Sequence, residues 1–169
     1  MRTLAAWAFC AFASAGLAQG VTGSACDSPL HRQFDFWVGT WNVFDAKSGD
    51  RVGSSLIQKL YGGCALRENW SQPGFAGGSL TIFDAQDGKW HQTWVDQLGA
   101  RREFEGGVIE GKMVLTTKSR IRQVPDRPAL VRMTFTPNAD GTVRQYSDYS
   151  ANDGVSWSER YDFLYKPAR

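Results

Sequence analysis

The sequence predicts an all-β fold, an antiparallel up-and-down meander of about ten strands that closes into a barrel. Turn signals recur roughly a dozen residues apart, which leaves room for one strand and one tight connection each. Apolar and polar residues alternate between these turns, as expected of strands with one buried face. The 169 residues include 13% aromatics and 18 glycines, a composition rich in strand and turn formers.

The first 18 residues have the pattern of a secretory signal peptide. Arg2 supplies a positive charge, and the run from Thr3 to Leu17 carries none. This run is too short to span a bilayer, and it ends in small residues before a cleavage site after Ala18. We therefore predict a signal peptide at 1–18, a single barrel domain at 19–169, and export to the periplasm or the medium. No second apolar run follows, so no integral membrane segment is expected in the mature chain.

A short helical turn is predicted before the first strand. Ser28 followed by Pro29 is typical of an N-cap and a first helical residue. Leu30, Phe34 and Trp37 are spaced as one helical stripe. Because the run is short, its stability must come from packing on the barrel.

The sequence Gly39-Thr40-Trp41 predicts where the first strand begins. Glycine allows a sharp turn where a side chain would clash. The tryptophan two residues later then lies on the inward face of the strand, and its ring is large enough to fill a barrel end. We expect the helical turn and Trp41 together to plug that end.

Two cysteines, Cys26 and Cys64, remain once the signal peptide and its Cys10 are removed. In an oxidising compartment, a single pair favours a disulfide. The loop that it closes is long, so the bond would contribute about 3–4 kcal/mol of stability. The alternative, a redox-active or metal-binding thiol pair, lacks a Cys-x-x-Cys spacing.

Nine turn signals divide the region after Trp41 into ten predicted strands. Nothing between them has a helical period or the length of a βαβ crossover, so a closed meander without exposed edges is the simplest topology. The signals lie near Gly49, Gly62-Gly63, Pro73-Gly74, Asp87-Gly88, Gly99, Glu110-Gly111, Pro125-Asp126, Asp140-Gly141 and Asp153-Gly154.

Alternation within the strands places ten aromatic and polar residues on the richer apolar face, which we take as the interior. Burying an unpaired polar group costs about 1–3 kcal/mol, and a bare carboxylate costs far more. Such groups therefore either pair with one another or with water, or lie at the barrel mouth, or they line a ligand cavity. The predicted ligand-binding residues are Glu68, Trp70, Gln92, Trp94, Asp96, Gln145, Tyr149, Trp157, Glu159 and Tyr161.

Three functions are open at this point. The first is a binding protein that holds a small, partly apolar molecule inside the barrel. The second is a cofactor-free lyase, isomerase or cyclase, with Glu68 and Glu159 as acid or base and Tyr149 or Tyr161 as proton donor. The third is a structural envelope barrel whose filled interior contains a satisfied polar network.

Charge and motif content argue against several other classes. A net charge of +2 without a basic run does not indicate a nucleic-acid partner. The chain has no Walker loop, no G-x-S-x-G and no H-E-x-x-H. His31 and His91 are too few and too far apart for a histidine-rich metal site. No metal and no cofactor are predicted.

Four groups of residues, in order, give the mature chain a resemblance to lipocalin-like (calycin) barrels, and in particular to uncharacterised exported bacterial ones. The resemblance implies a barrel with an internal cavity and brings no established reaction. Nitrobindin-like relatives bind haem through a histidine, which the C-terminal strands lack here. The residues that carry the resemblance are Phe34 to Trp41, Gly62-Gly63-Cys64, Trp90 to Asp96, and Arg144-Gln145 before Asp153-Gly154.

Overall fold

The computed structural model describes residues 25–168, and the predicted signal peptide at 1–18 lies outside them. This part of the chain forms ten strands and three short 3-10 turns. The strands are β1 (Gly39–Asp45), β2 (Arg51–Leu60), β3 (Ala65–Gln72), β4 (Phe75–Asp84), β5 (Lys89–Asp96), β6 (Arg101–Ile109), β7 (Lys112–Ile121), β8 (Val124–Pro137), β9 (Val143–Ser150) and β10 (Ser158–Pro167). The 3-10 turns are Pro29–Arg32, Asp35–Trp37 and Tyr61–Gly63.

The strands form one closed antiparallel barrel in which each strand pairs with its neighbours in sequence. β1 and β10 close the ring, with Trp41 opposite Pro167 and Phe44 opposite Leu164. The prediction of a ten-stranded, up-and-down, all-β barrel is therefore confirmed. Consecutive strands run in opposite directions. We call the end of the barrel where β1 begins the plug end, and the end where β1 finishes the open end.

Aromatic residues of the N-terminal segment fill the plug end. Phe34 and Trp37 are fully buried, and their stacked rings lie 4.9 Å apart. The edge of the Phe34 ring also meets Phe135 of β8 at 5.0 Å. The predicted helical stripe is wrong at Leu30, which is 49% exposed. The segment forms 3-10 turns, which have about three residues per turn where an α-helix has about 3.6. Residues spaced for an α-helix therefore do not stay on one face.

The predicted disulfide joins Cys26 to Cys64, with the two Cα atoms 4.9 Å apart. Cys64 follows the 3-10 turn between β2 and β3, at the plug end of the barrel. The bond therefore ties the segment before the plug to a connection between two strands.

The predicted turn at Pro125-Asp126 is wrong by a few residues, because β8 already begins at Val124. β8 pairs with β9 only from Leu130 onward. Pro125 and Pro128 thus lie where the β7–β8 hairpin extends beyond β9. Proline has no backbone N–H to donate, but on the side of β8 where β9 is not paired this interrupts no hydrogen-bond ladder.

A β-bulge in β10 makes the predicted inward face of Trp157 and Glu159 wrong. Glu159 and the residue two positions later lie opposite consecutive residues of β9, so Arg160 is an extra residue in the strand. The extra residue reverses the alternation of faces. Glu159 points outward and pairs with Lys47 at 2.6 Å. The Trp157 ring, just before β10, lies 4.1 Å from the guanidinium of Arg132 on the outer surface.

Candidate functional site

A cavity of about 370 Å³ opens at the end of the barrel opposite the plug. Its rim lies where β3 finishes at Gln72, β4 begins at Phe75 and β5 finishes at Asp96. The walls combine seven aromatic rings with seven polar or charged side chains. The lining residues are Glu68, Trp70, Gln72, Phe75, Gln92, Trp94, Asp96, Leu98, Arg102, Phe104, Met133, Gln145, Arg160, Tyr161, Phe163 and Tyr165.

Two tryptophans of the cavity wall lie against glycines of neighbouring strands. A Cβ atom at Gly53 in β2 would be 3.0 Å from the Trp70 ring, and one at Gly77 in β4 would be 2.5 Å from the Trp94 ring. Any larger residue would displace the rings. The Trp70 ring also stacks on Phe163 at 5.8 Å. The two indoles are therefore held flat along the wall and add a broad apolar surface.

Glu68 is a buried carboxylate held by two serines. Ser55 of β2 donates a hydrogen bond to its Oε1, and Ser79 of β4 donates one to its Oε2, both at 3.1 Å. Burial raises the pKa of Glu68 from 4.5 to about 7, although the serine hydrogen bonds act in the opposite direction. Near neutral pH this carboxyl can therefore either accept or donate a proton.

Gln145 stands at the centre of a polar network deeper in the cavity. Its Oε1 accepts a 2.6 Å hydrogen bond from the Tyr165 hydroxyl, and its Nε2 donates to the Tyr161 hydroxyl at 3.3 Å. The Tyr161 hydroxyl in turn donates to Met133 Sδ at 3.3 Å. Burial raises the pKa of both tyrosines, so both stay protonated as donors at neutral pH.

Gln92 is the second buried amide of the cavity. Its Nε2 donates to the Thr81 hydroxyl at 3.1 Å. Thr81 itself is fully buried. Gln92 and Gln145 thus present amides of fixed orientation among the aromatic rings of the cavity.

Two arginines line the cavity close to its opening. Arg102, near the start of β6, lies 3.7 Å from the Asp96 carboxylate. Asp96 also accepts hydrogen bonds from the Trp94 indole and from the backbone N–H groups of Leu98 and Ala100. Arg160, at the bulge of β10, lies on the same lining.

The structure brings together seven of the ten residues predicted to bind a ligand. Tyr149 is on the predicted inward side of β9, but it packs against the core and does not line the cavity. Trp157 and Glu159 are outside the barrel, as described above. The seven that line the cavity are Glu68, Trp70, Gln92, Trp94, Asp96, Gln145 and Tyr161.

Sequence reasoning missed both arginines of the opening. Arg102 was open to prediction, because it alternates with Phe104 and so shares its inward face. Arg160 had no such signal, since the alternation of β10 places it outside unless the bulge is known. The bulge that moves Glu159 out also brings Arg160 in.

A group of possible metal ligands lies elsewhere, on the β4–β5 hairpin at the plug end. Within residues 25–168, Asp84, Asp87 and His91 have ligand atoms within 4.8 Å of one another. His91 Nε2 already lies 2.8 Å from Asp87 Oδ2, in an exposed pair. The cluster is separate from the cavity, and the exposed hydrogen bond between His91 and Asp87 already joins two of its three residues.

No known family model matches the chain, and no curated protein matches it. Among the helical turns of residues 25–168, none has the length and apolar character needed to cross a membrane.

Proposed function

We propose that this chain is an exported, lipocalin-like barrel that binds a small, partly apolar molecule in its cavity. The cavity itself carries the proposal. Its volume of about 370 Å³ falls in the range of ligand sites, about 300–1,000 Å³. Aromatic walls with a few fixed polar groups are also what such sites provide.

Two observations support export. The Cys26–Cys64 disulfide is of a kind that persists in oxidising compartments and is rare in the cytosol. Residues 1–18 have the charge, length and small-residue pattern of a signal peptide.

The size of the cavity weighs against a structural barrel with a filled interior. A filled core packs at crystal-like density and leaves few voids larger than a water molecule. The cavity is many times that size and reaches the surface.

Glu68 favours acid–base catalysis as a second candidate function. A pKa of about 7 suits proton transfer at neutral pH, and Tyr161 lines the same cavity. Glu159 points away from the cavity, so the two-carboxylate version of this hypothesis loses its support. If a reaction is found, Glu68→Gln should abolish it, whereas Glu159→Gln should leave it unchanged.

Binding can be tested with the neutral fluorescent probe N-phenyl-1-naphthylamine, whose emission rises in apolar surroundings. We expect saturable binding to the purified protein, with one probe per chain. Met133→Trp adds volume inside the cavity and should weaken binding at least tenfold. Val95→Trp places an added indole on the outer wall, where Val95 is 52% exposed, and should leave probe binding unchanged.

Native mass spectrometry of freshly purified protein provides an independent check, since an amphiphilic ligand can survive purification. The proposal fails if the probe does not bind and no small molecule accompanies the protein. It also fails if Met133→Trp, still folded by circular dichroism, binds the probe as well as the unmodified chain does.

A further inference from the structure

Arg160 is a cavity-facing cation without an acidic partner. It takes part in none of the ion pairs within residues 25–168. Its Nη1 donates a 3.5 Å hydrogen bond to the Ser147 hydroxyl, and its guanidinium lies 5.7 Å from the centre of the Tyr161 ring. Its Nε is buried and has no hydrogen-bond partner in the described chain. Leaving a charged group in this state is costly.

The neighbouring outward-facing arginines, in contrast, have carboxylate partners. Arg132 donates two hydrogen bonds to the buried Asp148 carboxylate, and Arg144 donates two to Asp162. These bidentate pairs neutralise both arginines on the outside of the barrel. Of Arg132, Arg144 and Arg160, the one that faces the cavity, Arg160, is the one without a carboxylate partner.

The cavity does not supply the missing counter-charge. Asp96 is the carboxylate at the opening, and it is already engaged by Arg102, by the Trp94 indole and by two backbone N–H groups. Glu68 bonds to serines instead of to an arginine. Two guanidiniums and one carboxylate therefore leave one positive charge at the opening, and Arg102 and Arg160 repel each other.

This pattern matches a molecule with two unlike parts. The aromatic walls, including Trp70 and Trp94, suit a planar or alicyclic apolar body. Arg160 and Arg102 suit an anionic group, because a guanidinium binds a carboxylate, sulfonate or phosphate with several parallel hydrogen bonds. Since both arginines lie close to the open end, the anionic group would face the opening and the apolar body would point inward.

We propose that the cavity selects amphiphiles with a single anionic group, which binds to Arg160 and Arg102 at the opening. This inference rests on the proposed function and adds to it the chemical class of the ligand and its orientation. It predicts that a monoanion binds more tightly than the neutral molecule of the same shape.

A matched pair of probes separates the two claims. N-Phenyl-1-naphthylamine is neutral, and 8-anilino-1-naphthalenesulfonate has the same ring system with one added sulfonate. We expect the sulfonate probe to bind at least tenfold more tightly, since a charge-assisted hydrogen bond to a half-buried arginine is worth about that much. Its affinity should also fall as salt is raised from 50 to 500 mM, whereas that of the neutral probe should not.

Substitutions at Arg160 then locate the effect. Arg160→Met keeps the apolar stem and removes the charge. It should therefore lower the affinity for the sulfonate probe about tenfold and change the affinity for the neutral probe less than twofold. Arg160→Lys keeps the charge and should recover part of the lost affinity. Arg101→Met is the matched control, since Arg101 lies next to Arg102 but is exposed and pairs with Glu103. It makes the same change in net charge and should leave both affinities unchanged.

The possible outcomes have distinct meanings. If neither probe binds, the proposed function and this inference both fail. If the neutral probe binds but the sulfonate adds no affinity, or if Arg160→Met has no more effect than Arg101→Met, the cavity binds ligands without selecting anions and this inference alone is overturned. If Arg160→Met is poorly folded, Arg160→Lys and the salt dependence of the unmodified protein decide the question by the same criteria.

Discussion

The indole N–H of Trp41 donates a buried 2.9 Å hydrogen bond to the carbonyl oxygen of Trp37. Trp37 belongs to the second 3-10 turn and Trp41 to the first strand, so the bond fastens the plug to the barrel wall. Both rings also approach Tyr165 of the last strand, at 6.4 and 6.2 Å. The plug thus contacts both strands that close the barrel.

Replacing the Trp41 indole should weaken the attachment of the plug to the barrel and so lower the stability of the protein. Trp41→Phe keeps an apolar ring but leaves the Trp37 carbonyl without its partner, so we expect a loss of about 1–3 kcal/mol in the free energy of unfolding. Urea denaturation measures it. Trp157→Phe is the control, because it removes a 3.1 Å indole bond to Gly154 at the barrel surface, where water can replace it. Equal losses in the two variants would show that the Trp41 bond has no special role.

The buried carboxyl of Glu68 should make the stability of the barrel depend on pH. Its pKa rises from 4.5 to about 7 on folding. Between these values the unfolded chain has released the proton while the folded chain keeps it, so stability is full below pH 4.5 and falls until pH 7. At about 1.4 kcal/mol per pH unit, the loss is about 3 kcal/mol.

Glu68→Gln tests this linkage, because glutamine keeps the shape and can still bond to the two serines. Urea unfolding at pH 5 and pH 8 should show the variant gaining about 2–3 kcal/mol over the unmodified protein between these values. Tyr161 and Tyr165, two titratable neighbours that line the same cavity, stay protonated in this range and cancel in the comparison. A stability difference that does not change with pH would contradict the shifted pKa.

A methyl group at Gly77 should disturb the Trp94 wall of the cavity. The added Cβ would lie 2.5 Å from the Trp94 ring and 2.8 Å from the Val95 carbonyl oxygen. We expect Gly77→Ala to lower the free energy of unfolding by about 1–3 kcal/mol. It should also shift the tryptophan emission and lower the affinity for the neutral probe. In Gly107→Ala the new Cβ meets no atom within 4 Å, so that variant should leave all three measurements unchanged. Similar behaviour of both variants would remove the assigned role of Gly77.

The disulfide should add stability because it closes a long loop, and this contribution grows with the logarithm of the loop length. Cys26 and Cys64 are 38 residues apart, so the double variant Cys26→Ser/Cys64→Ser should lose about 3–4 kcal/mol of unfolding free energy. Dithiothreitol should lower the stability of the unmodified protein by a similar amount and leave the double variant unchanged. A native chain that is insensitive to reduction would mean that packing alone holds the plug.

The inward residues of most strands were predictable because strand alternation is a local property. Glu68 and Trp70 in β3, or Gln92 and Trp94 in β5, are two positions apart and must share a face. The turn positions followed from glycine, proline and aspartate for the same reason. At Pro125 the rule failed, because β8 runs past its partner β9 and proline is tolerated there.

The class of fold, the number of strands, the disulfide pair and seven residues of the cavity were predictable because each depends on spacing along one segment or on counting. Which side chain of β10 faces the cavity opening was not predictable in this way. The bulge at Arg160 depends on how β10 aligns with β9, and a mismatch of one residue between two strands leaves no mark in the period of either. That single residue moves Glu159 out of the barrel and Arg160 into it, and so replaces one predicted acidic group of the cavity with a cationic one.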